Sequence, residues 1–276
     1  MPAPLPIRIG AVLNVTPDSF SDGGRFLDPE RAVEHGLAML AEGADLVDVG
    51  GESTRPGAEP VHADEELRRV VPVIEGLRRR TDAPISIDTT KAAVARAALD
   101  AGASIVNDVS AGRSDAELFP LVAERRAGLI LMHMRGAPRE MQADPRYEDV
   151  VAEVAAFLRV RAAAAANAGV PLERIWIDPG IGFGKRLEHN LELLACMRVL
   201  CDLGYPVCVG VSRKSFIAAI EEREGLAASA TGARLGGTAA ALALAVAGGA
   251  TMLRVHDVAV MRQAALVARA IAGRRR

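Results

Sequence analysis

A short apolar segment recurs eight times along the 276-residue chain, and each copy ends in polar or ionisable residues. In one copy, Ile175, Trp176 and Ile177 precede Asp178, after which the chain turns through Pro179 and a run rich in glycine. Segments this short predict buried strands, and stretches rich in Ala, Leu, Glu and Arg between them predict helices. The eight predicted strands are residues 9–13, 46–50, 85–87, 105–106, 129–132, 175–177, 207–211 and 252–255.

Eight strand–helix units predict an α/β fold, a single (β/α)8 TIM barrel that covers residues 1–276. Aromatic residues make up only 3% of the chain, so the core is expected to consist of Ala, Val, Leu and Ile, as barrel interiors prefer. The active site of this fold lies at the carboxyl ends of the strands. The polar residues that end the eight segments are therefore expected to meet at one mouth of the barrel.

Charge and composition argue against several classes of partner. A formal net charge of −2 without a basic stripe argues against nucleic acid. The apolar run at 238–247 is too short to span a bilayer, so we expect a buried helix there and no membrane contact. No signal peptide is recognisable. Three cysteines without zinc-like spacing predict reduced thiols and a cytoplasmic protein.

A first group of polar residues at the strand ends suits a flat nitrogen heterocycle. A carboxylate accepts two parallel N–H bonds from an amidine-like edge, and a lysine donates to a ring carbonyl or nitrogen. Taken singly, each residue has a structural alternative, such as an ion pair between Asp88 and Lys91. The group consists of Asp88, Asn107, Asp178 and Lys214.

A second group suits phosphate or diphosphate, because arginine and neutral donors bind phosphate oxygens well. An ordinary surface role is the alternative for Arg55, and a structural role is the alternative for His256. Asn14 is also a plausible weak oxygen ligand for Mg²⁺, which keeps mostly water and phosphate oxygens. The group consists of Asn14, Thr54, Arg55, Arg254 and His256.

Two loops flank these groups, at residues 15–24 and 52–63. Phe20 lies in the first loop, where it either folds back as a plug or forms part of a lid over a ligand. Together the two groups predict a planar nitrogen heterocycle with a phosphorylated arm. The chemistry that this favours is displacement of diphosphate, with cations placed where negative charge develops.

Several motifs, in order along nearly the whole chain, together resemble the dihydropteroate synthase family. They are residues 14–24 (NVTPDSFSDGG), 50–57 (GGESTRPG), 132–134 (MHM), 178–185 (DPGIGFGK), 212–215 (SRKS) and 254–257 (RVHD). The resemblance implies that 6-hydroxymethyl-7,8-dihydropterin diphosphate is joined to p-aminobenzoate, giving dihydropteroate and diphosphate for folate synthesis. It also implies an SN1-like path, Mg²⁺ as cofactor, and a homodimer formed through the late barrel helices.

The resemblance further implies roles for individual residues. Asp22 would steady a cationic intermediate, and Asp22 and Lys214 would be the catalytic residues. Asn14 would hold the metal. The pterin would contact Asp88, Asn107, Met132, Asp178, Phe183, Lys214 and Arg254; the diphosphate would contact Asn14, Thr54, Arg55, Arg254 and His256; and p-aminobenzoate would contact Phe20, Pro56 and Ser215.

Two alternatives share the pterin-binding group. One is a barrel methyltransferase that passes a methyl group from methyltetrahydrofolate to a corrinoid protein. That reaction does not need the anion group, so Arg55 and His256 argue against it. The other is a non-catalytic pterin-binding homologue, and the intact first loop with Phe20 and Asp22 argues against it.

Overall fold

The computed structural model describes residues 6–16, 28–53, 57–137 and 139–274. Eight parallel strands form one sheet in the order β6-β5-β4-β3-β2-β1-β8-β7. A parallel bridge between Ile177 and Val207 joins the two edge strands, which closes the sheet into a barrel. The strands are β1 (Arg8–Asn14), β2 (Leu46–Gly50), β3 (Ile85–Asp88), β4 (Ile105–Asp108), β5 (Gly128–Met132), β6 (Ile175–Asp178), β7 (Cys208–Gly210) and β8 (Met252–Val255).

Helices connect the strands and cover the outside of the barrel. They are α1 (Pro29–Ala41), α2 (Ala63–Arg78), α3 (Ala92–Asp100), α4 (Leu118–Glu124), α5 (Val150–Asn167), α6 (Leu187–Ala195), α7 (Met197–Cys201), α8 (Ser215–Arg223), α9 (Leu235–Ala247) and α10 (Val258–Ala272). The predicted (β/α)8 fold is therefore confirmed. None of the helices in the described ranges is long and apolar enough to cross a membrane.

Alternation along the strands divides the core into two parts, because successive strand side chains point to opposite faces. Outward residues such as Val47, Ile87 and Leu253 are buried against the helices. Inward residues near the amino ends of the strands form a separate apolar cluster, which fills the lower barrel. Its members are Leu46, Ile105, Ile130, Cys208 and Met252, with Trp176 packed against them.

On β2, β4 and β6 the next inward position along the strand is polar. Asp48 lies two residues after Leu46, Asn107 two after Ile105, and Asp178 two after Trp176. All three of these polar side chains are buried. The barrel thus has an apolar lower layer and a polar upper layer, and the polar layer lies at the carboxyl ends.

One local prediction was only partly right. The helix predicted at 238–247 exists, but it is not fully buried, since Leu244 is 65% exposed. Elsewhere, Asp115 lies just before α4. Its carboxylate accepts from the backbone N–H of Ala92 (2.8 Å) and of Glu117 (3.0 Å), so it joins the starts of two neighbouring helices.

Candidate active site

The polar upper layer centres on Arg254 of β8, which contacts two carboxylates inside the barrel. Its Nε donates to Asp48 Oδ2 over 2.8 Å, and its Nη2 donates to Asp88 Oδ2 over 2.8 Å. Asn107 Nδ2 donates to the same Asp48 oxygen over 3.3 Å. Arg254, Asp88 and Asn107, which the sequence assigns to the pterin, therefore lie in one hydrogen-bonded group.

This group contains two acceptors that remain unused. Asp48 Oδ1 and Asp88 Oδ1 are buried and have no hydrogen-bond partner within the part of the chain that the structure describes. A buried carboxylate oxygen without a partner is costly. A ligand that supplies N–H donors would therefore be stabilised at this position.

Burial shapes the charges of the group. Burial raises the pKa of Asp88 to about 7; Arg254 opposes the rise and Asp48 adds to it. Burial alone would lower the pKa of Arg254, but Asp48 and Asp88 raise it above its ordinary value. The guanidinium thus stays charged, whereas Asp88 can change its protonation near neutral pH.

Asp178 ends β6 and is held by the glycine-rich turn that follows it. Its Oδ1 accepts from the Gly180 N–H over 2.7 Å, and its carbonyl accepts from the His133 N–H over 2.9 Å. Burial raises the pKa of Asp178, while Lys214 and the Gly180 N–H lower it. Gly180 has φ 65°, a conformation that glycine adopts at little cost. The turn thereby fixes the carboxylate at the mouth.

Lys214 follows β7 and lies over Phe183, with Nζ 4.5 Å from the centre of the ring. The same Nζ donates to the Ile181 carbonyl. Burial lowers the pKa of Lys214 to about 8, against the opposing charge of Asp178. Asp178, Phe183 and Lys214 therefore form the second side of the mouth. Met132 is buried at the end of β5, where it pairs with Asp178 in the register of β5 and β6.

Only part of the anion group, namely Asn14, Arg254 and His256, lies in the described ranges of the chain. His256 Nδ1 lies 3.1 Å from Ser212 Oγ, which joins the residues after β7 and β8. Arg213 strengthens this connection, since its Nε donates to Asp257 Oδ2 over 2.9 Å. Asn14 ends β1 and is partly exposed, and Ser215 is the exposed first residue of α8. Phe20, Asp22, Thr54, Arg55 and Pro56 lie outside the described residues.

The ion pair between Asp88 and Lys91, offered by the sequence as an alternative, is not present in the structure. Lys91 Nζ instead lies 2.5 Å from Glu52 Oε2 and 2.5 Å from Glu66 Oε2. Glu52 Oε1 also accepts from the Val61 N–H over 3.0 Å. Lys91 therefore pairs with Glu52 at the start of the second loop, and Asp88 pairs with Arg254.

The sequence patterns did not single out two residues of this region. Asp48 is buried and binds Arg254. The one feature of the sequence that could have indicated it is a carboxylate at an inward position of an apolar strand. Lys185 is buried beside His133, and its only signal was its place at the end of the glycine-rich turn. Across the ranges 6–16, 28–53, 57–137 and 139–274, no cluster of three His, Cys, Asp or Glu could hold a metal ion.

Comparison with known proteins agrees with this geometry. A family model described as pterin binding enzyme matches residues 10–256. Dihydropteroate synthase of Mycobacterium leprae is 50% identical over 255 residues, covering 92% of this chain and 89% of that protein.

Solved structures agree as well. The Xanthomonas albilineans dihydropteroate synthase with 4-aminobenzoic acid has a TM-score of 0.88 and 48% identity, covering 96% of this chain and 93% of that one. The same enzyme in complex with 7,8-dihydropteroate has a TM-score of 0.84 and 45% identity, covering 96% and 94%. These similarities confirm the resemblance that the motifs indicated. The chain belongs to the dihydropteroate synthase family of pterin binding enzymes.

Proposed function

We propose that this member of the dihydropteroate synthases, a transferase of folate biosynthesis, binds its pterin ring inside the polar upper layer of the barrel. The observation that carries the proposal is the pair of buried, unpartnered oxygens, Asp48 Oδ1 and Asp88 Oδ1. An amino-pyrimidinone edge has N–H donors for such acceptors. Asp178 and Asn107 would bind other polar atoms of the ring, and Lys214 would donate to it.

The apolar part of the pocket would hold the faces of the ring. Met132 and Phe183 are both buried and belong to one small cluster at the mouth. Arg254, held by Asp48 and Asp88, would lie over the opposite face, where a guanidinium stacks favourably on a flat ring. These contacts would orient the pterin so that its methylene carbon faces the anion group.

The diphosphate would lie between the ends of β1 and β8. His256 and Asn14 would contact it together with Arg254, Thr54 and Arg55. The reaction breaks the bond between the methylene carbon and the diphosphate oxygen, and the electron pair leaves with the oxygen. Cationic side chains stabilise the charge that develops there. In the SN1-like path this departure precedes attack, and Asp22 would steady the resulting cation.

p-Aminobenzoate would enter next, and its amino nitrogen would form the new bond to the methylene carbon and then lose a proton. Phe20 and Pro56 would form walls of its pocket, and the Ser215 hydroxyl would donate to its carboxylate. Ser215 suits this role because it is exposed and begins α8, where the backbone N–H groups also favour an anion. The 4-aminobenzoic acid in the Xanthomonas albilineans structure supports this substrate class.

We also propose that Mg²⁺ assists, held by Asn14 and by the substrate rather than by a cage of protein ligands. The residues fit this arrangement, since Mg²⁺ keeps several waters and often binds substrate phosphates with few protein oxygens. Asn14 offers an amide oxygen at the end of β1, beside the strand that leads into the second loop. When bound, the ion would neutralise charge on the leaving diphosphate.

A homodimer is the third part of the proposal. Helices α9 and α10 pack against each other and carry several exposed apolar side chains. Exposed apolar patches of this kind are typical of protein–protein contacts. The side chains are Leu244, Val260, Leu266, Val267 and Ile271. We further propose a cytoplasmic location, which the three free cysteines support.

The activity is tested by incubating the protein with 6-hydroxymethyl-7,8-dihydropterin diphosphate, p-aminobenzoate and Mg²⁺, and measuring dihydropteroate and diphosphate by chromatography. We expect the two products in equal amounts. A parallel incubation with methyltetrahydrofolate and a corrinoid protein tests the methyltransferase alternative. Pterin binding without either product would support the non-catalytic alternative and contradict the proposal.

A further inference from the structure

The chain contains three lysines, Lys91, Lys185 and Lys214, whereas the other thirty of its 33 Lys and Arg residues are arginines. Each lysine follows a strand at the carboxyl end of the barrel, after β3, β6 and β7 respectively. Lysine has a compact amino group that suits narrow sites, whereas arginine carries a wide planar fork. Lys214 belongs to the group assigned to the pterin, and Lys91 pairs with Glu52 at the start of the second loop. Lys185 has no role in either.

Lys185 is 3% exposed and its amino group has three partners. Nζ lies 2.9 Å from His133 Nδ1, 3.4 Å from the His133 carbonyl oxygen and 3.1 Å from the Phe183 carbonyl oxygen. Three partners satisfy the group in either protonation state. An ammonium donates to all three, whereas a neutral amine donates to the two carbonyls and accepts from His133 Nδ1–H.

These contacts join the turn after β6 to the segment after β5, which are already in close backbone contact. A Cβ built on Gly180 would lie 1.9 Å from the His133 carbonyl oxygen, and one built on Gly184 would lie 2.2 Å from the Arg135 carbonyl oxygen. Side chains at these two positions would therefore push the segments apart. The glycines permit the approach, and Lys185 is the buried side chain that bridges it, alongside the Tyr147 hydroxyl, which donates to the Gly184 carbonyl over 2.8 Å.

The partners of Lys185 are the residues that place the substrate side chains. Phe183 accepts from Lys185 through its carbonyl, and its ring lies under Lys214 Nζ. His133 accepts through its carbonyl, and its N–H donates to the Asp178 carbonyl over 2.9 Å. A shift of either partner would move a side chain that we assign to the pterin.

We propose that Lys185 is a positioning residue for the pterin pocket, which fixes Asp178 and Phe183 by joining His133 to the turn after β6. The inference rests on the proposed pterin role of Asp178, Phe183 and Lys214. Lys185 touches no substrate in this scheme and acts through the two residues that it holds. Loss of its contacts should weaken pterin binding more than it affects p-aminobenzoate.

The sharpest test is a matched pair of variants at His133. Asn places an amide near the Nδ1 position and can either accept from or donate to Lys185, whereas Leu can do neither. Both variants lose the edge-to-face contact of the imidazole with Phe157, at 4.9 Å between ring centres, so the loss of this contact does not distinguish them. Lys185→Met is the direct variant, and thermal unfolding shows whether each protein is folded.

The measurements are calorimetric titration with 6-hydroxymethylpterin and KM for each substrate. We expect the pterin Kd of His133→Leu to exceed that of His133→Asn by about tenfold, the size of a lost hydrogen bond in a buried site. Lys185→Met should weaken pterin binding by at least the same factor. The KM for p-aminobenzoate should change far less than the KM for the pterin diphosphate.

A spectroscopic readout separates positioning from general loosening. In protein labelled with [13Cε]lysine, only three lysine signals are expected, and variants assign them. The Lys214 signal should shift in His133→Leu and stay in place in His133→Asn. Equal pterin affinities and unchanged Lys214 signals in the two variants, in a protein that makes dihydropteroate, would overturn the role of Lys185. Absence of product from the unmodified protein would instead contradict the proposed function.

Discussion

Arg254 Nη2 and Asp88 Oδ2 lie 2.8 Å apart inside the barrel, joining the ends of β8 and β3 across the intervening β1 and β2. The pair leaves Asp88 Oδ1 buried without a partner among the described residues. Burial raises the pKa of Asp88 to about 7, despite the opposing charge of Arg254. The same carboxylate is thus an unused acceptor and a group that titrates near neutral pH.

Asp88 should make the unfolding free energy depend on pH. Its native pKa, raised by burial, is about 7 against an ordinary value of 3.8, so the native protein holds a proton that the unfolded chain releases. The stabilisation that this bound proton adds to the unfolding free energy is complete below about pH 4 and is lost as the pH rises through about 7. In Asp88→Asn the unfolding free energy should fall less steeply over this window. Urea unfolding at several pH values measures it; parallel pH profiles for both proteins would contradict the assignment.

Asp178→Asn should fold and lose pterin affinity. Asn replaces one carboxylate oxygen with an NH2 donor, so a ring N–H that Asp178 accepts would face a donor instead. A buried group left without a partner costs roughly 1–3 kcal/mol. Calorimetric titration with the pterin gives the difference in binding free energy. Asp144→Asn is a suitable control, because Asp144 lies on the surface and pairs with Arg146 and Arg186. An unchanged Kd for Asp178→Asn would remove this residue from the pocket.

His256→Ala and Arg55→Ala should weaken the pterin diphosphate far more than the unphosphorylated pterin. Each removes a donor to the diphosphate, and loss of a charge-assisted bond costs about 1.5–3 kcal/mol. Titrations with both ligands give the comparison. Ser212→Ala serves as a control for His256, since it removes the hydroxyl beside Nδ1 and leaves the imidazole. Equal losses for the two ligands would show that these residues do not contact the diphosphate.

Lys214 should set a basic limit on activity. Burial lowers the pKa of Lys214 to about 8, so the free enzyme loses this cation as the pH rises through that value. The kcat/KM profile reports ionisations of the free enzyme, and it should decline above about pH 8. Lys214→Arg should keep its charge and extend the profile to higher pH, at a lower maximum. A decline at the same pH in both proteins would assign it to another group.

The exposed apolar side chains of α9 and α10 predict a concentration-dependent dimer. Leu244→Glu places a charge among them and should shift the protein towards monomer in sedimentation velocity. Val160→Glu is the matched control, because Val160 on α5 is 63% exposed and Leu244 is 65% exposed. A monomer at all concentrations in the unmodified protein, or dissociation by Val160→Glu alone, would argue against this interface.

The sequence by itself determined the barrel, the order of its strands along the chain and the end at which chemistry takes place. Each strand is a local apolar run with a polar end, and each helix has its own periodicity, so neighbouring residues suffice to predict them. Asp28 illustrates this: it caps α1, accepting from the backbone N–H groups of Glu30 and Arg31, residues two and three positions along the chain. The motifs also indicated the family, which the comparisons confirm.

Only the tertiary structure decided which polar side chains meet. Asp48 and Arg254 lie 206 residues apart in sequence, and closure of the barrel brings them into contact. The period of a strand predicts that both point inward, but their pairing depends on register and on which strands face each other across the interior. The burial that raises the pKa of Asp88, and the three contacts that satisfy Lys185, arise in the same way from several segments packed together.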